Sequence, residues 1–227
     1  MRRQDFIFIL FILVLFAPFF MFPALMDEFE HYTRVYPVMM SFIKFALLAT
    51  TGELLGLRIK TGSYIKRGFG ILPRSLVWGI LGVSIYIAFV VFPSGTMVLA
   101  QRTGIIAGIE TPAERFILAF MTSVLLNLIF APVMMTTHKI SDTHILQTGG
   151  KLGSFFTRVR VVSILENLDW KTHWQFIMCR TIPLFWIPAH TVTFLLPAAY
   201  RVLFAALLGI MLGVILAVAN KGTAAKA

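Results

Sequence analysis

The sequence predicts an all-α integral membrane protein: a polytopic transmembrane bundle of about six helices, with one more amphipathic helix lying in the interface. Two observations carry this expectation. The 227 residues are 58% hydrophobic and only 13% charged, whereas a soluble domain keeps about a quarter of its residues charged. Several apolar runs also reach the roughly 20 residues needed to cross about 30 Å of hydrocarbon. Lipid offers no partner for a free backbone N–H, so such runs must be helical or belong to a closed barrel. They lack the apolar–polar alternation of barrel strands. The chain reads as one membrane domain, 1–227.

The first apolar run, Phe6 to about Met26, follows Met1-Arg2-Arg3-Gln4-Asp5. It is longer than the apolar core of a signal peptide, no small-x-small cleavage site follows, and Arg2-Arg3 lacks the flanks of a twin-arginine signal. It is read as a retained helix, leading into a polar stretch from Asp27 to Arg34. The second run, about Pro37 to Leu57, precedes Arg58, Lys60, Lys66, Arg67 and Arg74. The third, about Ser75 to Phe92, is expected to end at Pro93-Ser94-Gly95. The fourth opens at Thr111-Pro112-Ala113-Glu114, where Thr can cap the helix, Pro suits the first turn and Glu can close a capping box. It is expected to reach about Thr137, with Pro132 removing a backbone bond and kinking it.

The polar stretch His138 to His173 contains Phe155, Phe156, Val159, Val162, Leu165 and Leu168 at roughly helical spacing. This reads as the interfacial amphipathic helix, with Arg158 near lipid phosphates. The fifth run, about Trp174 to Leu196, is interrupted by Pro183 and Pro188 and followed by Pro197; it either spans or re-enters. The sixth, Ala198 to Ala219, precedes a basic tail.

The formal charge of +10 would suit nucleic acid. The bases instead fall in short clusters between apolar runs, as cytoplasmic loops do, so no nucleic-acid partner is expected. Both termini and the basic stretches 58–74 and 138–173 are assigned to the cytoplasmic side, and 27–36 and 94–113 to the other. Two cytoplasmic termini require an even number of crossings, hence six. The single Cys179 excludes an intramolecular disulfide and reads as a packing residue.

Ionisable and polar groups inside apolar runs cost free energy and are candidates for function. The second run carries Lys44, Thr50, Thr51 and Glu53. Nine residues separate Lys44 from Glu53, about 13 Å of helix, too far to pair. Glu53 therefore needs a water-filled cavity or another partner, loop bases such as Arg58 being the plain choice. Asn127 on the fourth run either bridges helices or lines a path. Arg180, His190, Thr191 and Thr193 lie among the prolines of the fifth, where freed carbonyls need protein or water. Gly52 with Gly56, and Gly209 with Gly213, form small-residue faces for close helix packing, with Ala205 beside the second. Arg201 is expected to reach headgroups.

Signatures of enzymes are weak. Gly149-Gly150-Lys151 lacks the spacing of a phosphate-binding loop, and no nucleophile elbow occurs. His138, Asp142 and His144 could approach a metal but fit no known spacing and read as a solvated loop. No metal, cofactor or catalytic residue is assigned. An Asp, His or Glu cluster meeting at the cytoplasmic interface would bring a lipid-modifying enzyme back into consideration.

These residues resemble the family of the peroxisomal twenty-two-kilodalton membrane protein and its mitochondrial inner-membrane relatives. Tyr36-Pro37 precedes Gly52-Glu53 at the distance that separates the family's aromatic-Pro from its Gly-Asp, and Arg74 opens the next helix as a basic residue does there. Leu126-Asn127-Leu128-Ile129-Phe130-Ala131-Pro132 keeps the family's Phe-Ala-Pro and an amide but loses its acid. Asn167, Gln175 and Ile182-Pro183 fit the C-terminal part, as does Pro197-Ala198-Ala199-Tyr200-Arg201, given an insertion of about a dozen residues around the fifth run. The family's closing Trp-Asn is replaced by Leu212-Gly213. The resemblance covers about 36–220 and leaves 1–35 as an additional N-terminal helix.

It implies a small, weakly selective solute pore concerned with metabolite homeostasis. The expected function is thus a channel or facilitator for small hydrophilic solutes, with membrane lipids and the solute as partners and homo-oligomerisation open. The rival reading is a structural or assembly membrane protein that transports nothing. No acid-poor amphipathic transit peptide precedes the first run, so a bacterial inner membrane is the expected location.

Overall fold

The computed structural model describes the backbone of residues 2–224 and the side chains of residues 2–211, and no strand occurs among them. Four helices are long and apolar enough to cross a membrane: Arg3–Met21, Pro37–Thr61, Ile71–Arg102 and Pro112–Gln147. A shorter apolar helix, Ala198–Met211, lies in the last described part.

Proline sets the first two boundaries. Helix α1 (Arg3–Met21) ends at Phe22, and α2 (Pro23–Val35) ends at Tyr36 before α3 (Pro37–Thr61). Phe22 and Tyr36 both have φ −124° and leave the helical region, because the ring of a following proline crowds the helical conformation. Pro23 and Pro37 then open their own helices, where a missing N–H costs nothing. The stretch Asp27–Arg34 is accordingly helical. Helix α3 closes on Gly62, whose φ of +80° suits a residue without Cβ.

Helix α4 (Ile71–Arg102) does not stop at Pro93-Ser94-Gly95 but passes through it. Water that could hydrate an opened backbone is scarce in an apolar surrounding, which favours keeping the remaining bonds. The capping box of α5 (Pro112–Leu125) forms as its residues suggest: the Glu114 N–H donates to Thr111 Oγ1 at 3.2 Å, and the Thr111 N–H to Glu114 Oε2 at 2.9 Å. A wide π-helical turn, Leu126–Phe130, joins it to α6 (Ala131–Gln147). The turn lies where Pro132 offers no N–H, and the Ala131 N–H reaches back to the Leu126 carbonyl instead. The helix therefore runs on to Gln147, ten residues past its expected end at Thr137.

No continuous amphipathic helix follows. Leu152–Phe156 is a 3-10 turn and α7 (Val161–Glu166) has only six residues, with an irregular strap between them. Thr157 Oγ1 donates to the Ser154 carbonyl at 2.8 Å, a local bond that competes with helix continuation. From Lys171 the chain is wound in a wide π-helical form to Trp186 and passes directly into α8 (Ile187–Leu195). It does not turn back, so Pro183 and Pro188 widen the helix rather than making a re-entrant hairpin. Helix α9 (Ala198–Ala224) is the last described element.

The core joins α3, α4, α5, α8 and α9 through residues such as Phe45, Leu48, Ile85, Phe89, Phe194 and Val202. Gly82 on α4 lets α3 approach: a Cβ there would lie 2.5 Å from Phe45 Cβ and 2.7 Å from the Ser41 carbonyl oxygen. Gly52 does the same against Ile210 of α9, at 3.0 Å. Gly56 and Gly209, expected on the same small-residue faces, meet nothing within 4 Å among the described residues. On the expected face of α3 the tight approach falls on Gly52, not along the pair. Gly213 lies outside the described side chains.

Helix α1 buries no residue, but Leu15 and Phe16 rest against the core. Its Asp5 accepts from Arg58 of α3 at 2.7 and 2.9 Å, and Arg2 donates to the Gly62 carbonyl at 3.3 Å. The loops after α3 and α6 touch through glycine: a Cβ on Gly150 would sit 2.6 Å from the Gly70 nitrogen. The start of α1 and both basic loops thus share one end of the bundle. The α8–α9 junction sits at the opposite end, where Tyr200 bonds Glu30 of α2. Arg201 turns inward there, donating to the Leu196 and Phe194 carbonyls at 2.9 and 3.0 Å. Those orphan carbonyls at the close of α8 take the place of the headgroups expected from sequence.

A charged cluster at the basic end

Three helices bring five polar side chains together at the basic end. Glu53 lies eight residues before the end of α3, about 12 Å inside it. Arg74 and Trp78 are one turn apart on α4, and His138 and Asp142 one turn apart on α6, so each pair shares a helix face. Arg74 is the hub. One terminal guanidinium nitrogen donates to Glu53 Oε2 at 2.7 Å and to the Asp142 carboxylate. Its Nε–H donates to the Phe69 carbonyl at 2.7 Å, and its plane lies 4.3 Å from the Phe69 ring centre. The second oxygen of Glu53 accepts from the Trp78 indole at 2.9 Å and faces His138 Nε2 at 3.2 Å. His138 rests on Trp78 with ring centres 4.2 Å apart.

The charges do not cancel while the imidazole is neutral: two carboxylates face one guanidinium. A proton on His138, 3.2 Å from Glu53 and 3.7 Å from Asp142, would balance the set. The Arg74 side chain is 5% exposed, but Glu53, Asp142 and His138 keep 17%, 22% and 22%. The buried base is therefore enclosed by its partners, which stay partly exposed.

One ligand atom each from Glu53, His138 and Asp142 lies within 4.8 Å of the others, as a divalent cation would require. Arg74 already bonds both carboxylates, so such an ion would have to displace a guanidinium. His138 and Asp142 are thus not part of a solvated loop, as the sequence suggested, but sit on α6. His144 points elsewhere, with Nε2 2.9 Å from the Ser154 carbonyl oxygen and 3.0 Å from Thr157 Oγ1. Arg58, the loop base offered to Glu53, is taken by Asp5. The sequence signal that could have found Arg74 was its place at the start of α4, opposite the end of α3 across a short loop.

The remaining candidates are neutral or lie apart. Asn127, fully buried in the π turn, donates to the Ser123 carbonyl at 2.8 Å and meets His190 Nδ1 of α8 at 3.0 Å. Ser123 Oγ donates to the Ile187 carbonyl at 2.7 Å, a second link between α5 and α8. Thr191 and Thr193 bond carbonyls of their own helix, Ile187 and Ala189, at 2.8 and 2.9 Å. Thr51 does likewise to Leu47 at 2.7 Å, while buried Thr50 Oγ1 has no partner among the described residues. Lys44 donates to Thr33 at 2.8 Å over the Phe29 ring. Pro132 is half-buried and Arg180 exposed, neither near the cluster's ion pairs.

No protein-family model, no curated protein and no solved structure matches this chain. The fold and site define a class only: a helical protein with the apolar spans of a membrane protein and a charged interhelical cluster at one end.

Proposed function

We propose that the chain is an integral membrane protein that lets small hydrophilic solutes pass, with Glu53, His138 and Asp142 at the mouth of the path and Arg74 fixing them. The observation that carries this reading is the cluster itself. Ion pairs are costly at membrane depth, and interhelical locking needs only the neutral bonds already present at Asn127. The two acids and the histidine keep 17% to 22% of their side-chain surface exposed, and in this reading a hydrated solute meets them there. In this reading the six helical passes (α1, α3, α4, α5–α6, 171–195 and α9) all cross. The end bearing Arg2 and both basic loops faces the cytoplasm, with both termini there, in a bacterial inner membrane. A distant kinship with the peroxisomal and mitochondrial channel family accords with it, since Glu53 and Arg74 fall on two of the motifs quoted above.

Two rivals have an observation each. A structural or assembly role is favoured by the number of partners each cluster residue has, as expected of interhelical glue. Acid–base chemistry on lipids is favoured by the Glu53–His138 pair, although among the described residues no hydroxyl or thiol is bonded to His138.

The test is release of a size series of neutral and charged tracers from sealed liposomes bearing the purified chain. Release with a size cutoff, altered in Glu53→Gln, supports the path. No release above empty liposomes from folded protein moves the reading to the structural role.

A further inference from the structure

The strap between α6 and the π-wound stretch has a composition that neither water nor the bundle interior explains. Phe156 is 93% exposed and Val162 69%, with Phe155, Val159 and Val161 each above 40%. Interleaved with them are Lys151, Arg158 and Arg160, all exposed. Neither arginine is paired with a carboxylate among the described residues. Beside them opens a cavity of about 1080 Å³, lined in part by Thr157, Arg158, Arg160, Ser163 and Glu166. The floor is fixed, because buried His144 holds both Thr157 Oγ1 and the Ser154 carbonyl.

We propose that this cavity seats the phosphodiester of an anionic phospholipid, while Phe155, Phe156 and Val162 enter the acyl region beside it. Two observations choose this occupant. Apolar side chains so exposed, at the end of helices long enough to cross a bilayer, meet lipid at the boundary where headgroups begin. The two arginines offer planar, doubly donating groups suited to phosphate oxygens. Glu166 is the one acid on the rim and opposes the anion. The expected helix is not needed for this role, since a strap held by His144 presents the same mixture of bases and apolar groups. The inference requires a membrane around the chain but no solute passage.

The experiment is lipid binding to the full-length protein in neutral detergent, titrating phosphatidylglycerol, phosphatidylcholine and inorganic phosphate in parallel. Bound lipid is counted by native mass spectrometry. Phosphatidylglycerol should bind about thirtyfold more tightly than phosphatidylcholine, close to fivefold for each arginine near an anionic surface. R158Q/R160Q should lose that preference, and E166Q should strengthen it. Equal binding of the two lipids, or an unchanged preference in R158Q/R160Q, overturns the proposal. Competition by inorganic phosphate at the same concentration would also overturn it, by showing a site for soluble phosphate. Should R158Q/R160Q not fold, E166Q decides alone: a preference that does not rise counts against the site.

Discussion

Two polar regions hold this bundle together, and they do so differently. At Asn127, Ser123 and His190 the groups are neutral and sealed; two of their bonds link α5 and the π turn to α8, and the third ties Asn127 back to Ser123. At Glu53, Arg74 and Asp142 the groups are charged and linked through one buried guanidinium, with His138 against Glu53, and the acids and the histidine stay partly exposed. Packing alone explains the first. The second keeps accessible charge near the place where the apolar part of α6 gives way to Thr136-Thr137-His138, and so carries the functional proposal. A buried polar group in this chain is therefore informative by its charge and exposure, more than by its presence.

The largest expected effect separates the two regions most sharply. Arg74→Ala leaves Glu53 and Asp142 without their counter-charge and should cost about 3–5 kcal/mol, read by reversible unfolding in mixed micelles. Adding Glu53→Gln and Asp142→Asn should recover much of that loss, because the uncompensated acids disappear with the base. A triple variant no more stable than Arg74→Ala would mean that Arg74 acts through packing on Phe69. Glu53→Gln alone is expected to cost about 1–3 kcal/mol in the same assay, since the Arg74 charge loses one of two partners.

Asn127→Ala should cost about 1 kcal/mol, the usual scale for a neutral interhelical bond in a membrane protein. A double-mutant cycle with His190→Phe should return a coupling of roughly 0.6 kcal/mol; a value as large as that for Glu53 with Arg74 would erase the distinction. The smallest effect belongs to Arg58→Ala. Its pair with Asp5 lies at the outer helix, and added salt should screen what little it contributes. A stability change matching that of Arg74→Ala would place a second hub at α1.

Much of the fold was legible in the chain itself. The apolar runs gave the helices, Thr111 and Glu114 gave the capping box, and Asn127 was expected to bridge helices or line a path. Less legible were the ends. Pro93 read as a stop, yet α4 passes through it; Pro132 read as a kink in a continuing helix, and the wide turn before it absorbs the missing bond. The amphipathic helix failed because spacing alone cannot register the local bond of Thr157 to Ser154. The partner of Glu53 depended on helix rotation: Arg58, five residues on, points about 140° away around α3, whereas Arg74 arrives from the next helix. No local pattern specifies that meeting, nor the approach of His138 from 85 residues away.

The most direct measurement compares the two regions in one assay: tracer release from liposomes for wild type, Glu53→Gln and Asn127→Ala, each shown to be folded. Release is expected in all three, with rate or charge preference changed only by Glu53→Gln. Identical release in wild type and Glu53→Gln, or a change confined to Asn127→Ala, would contradict it.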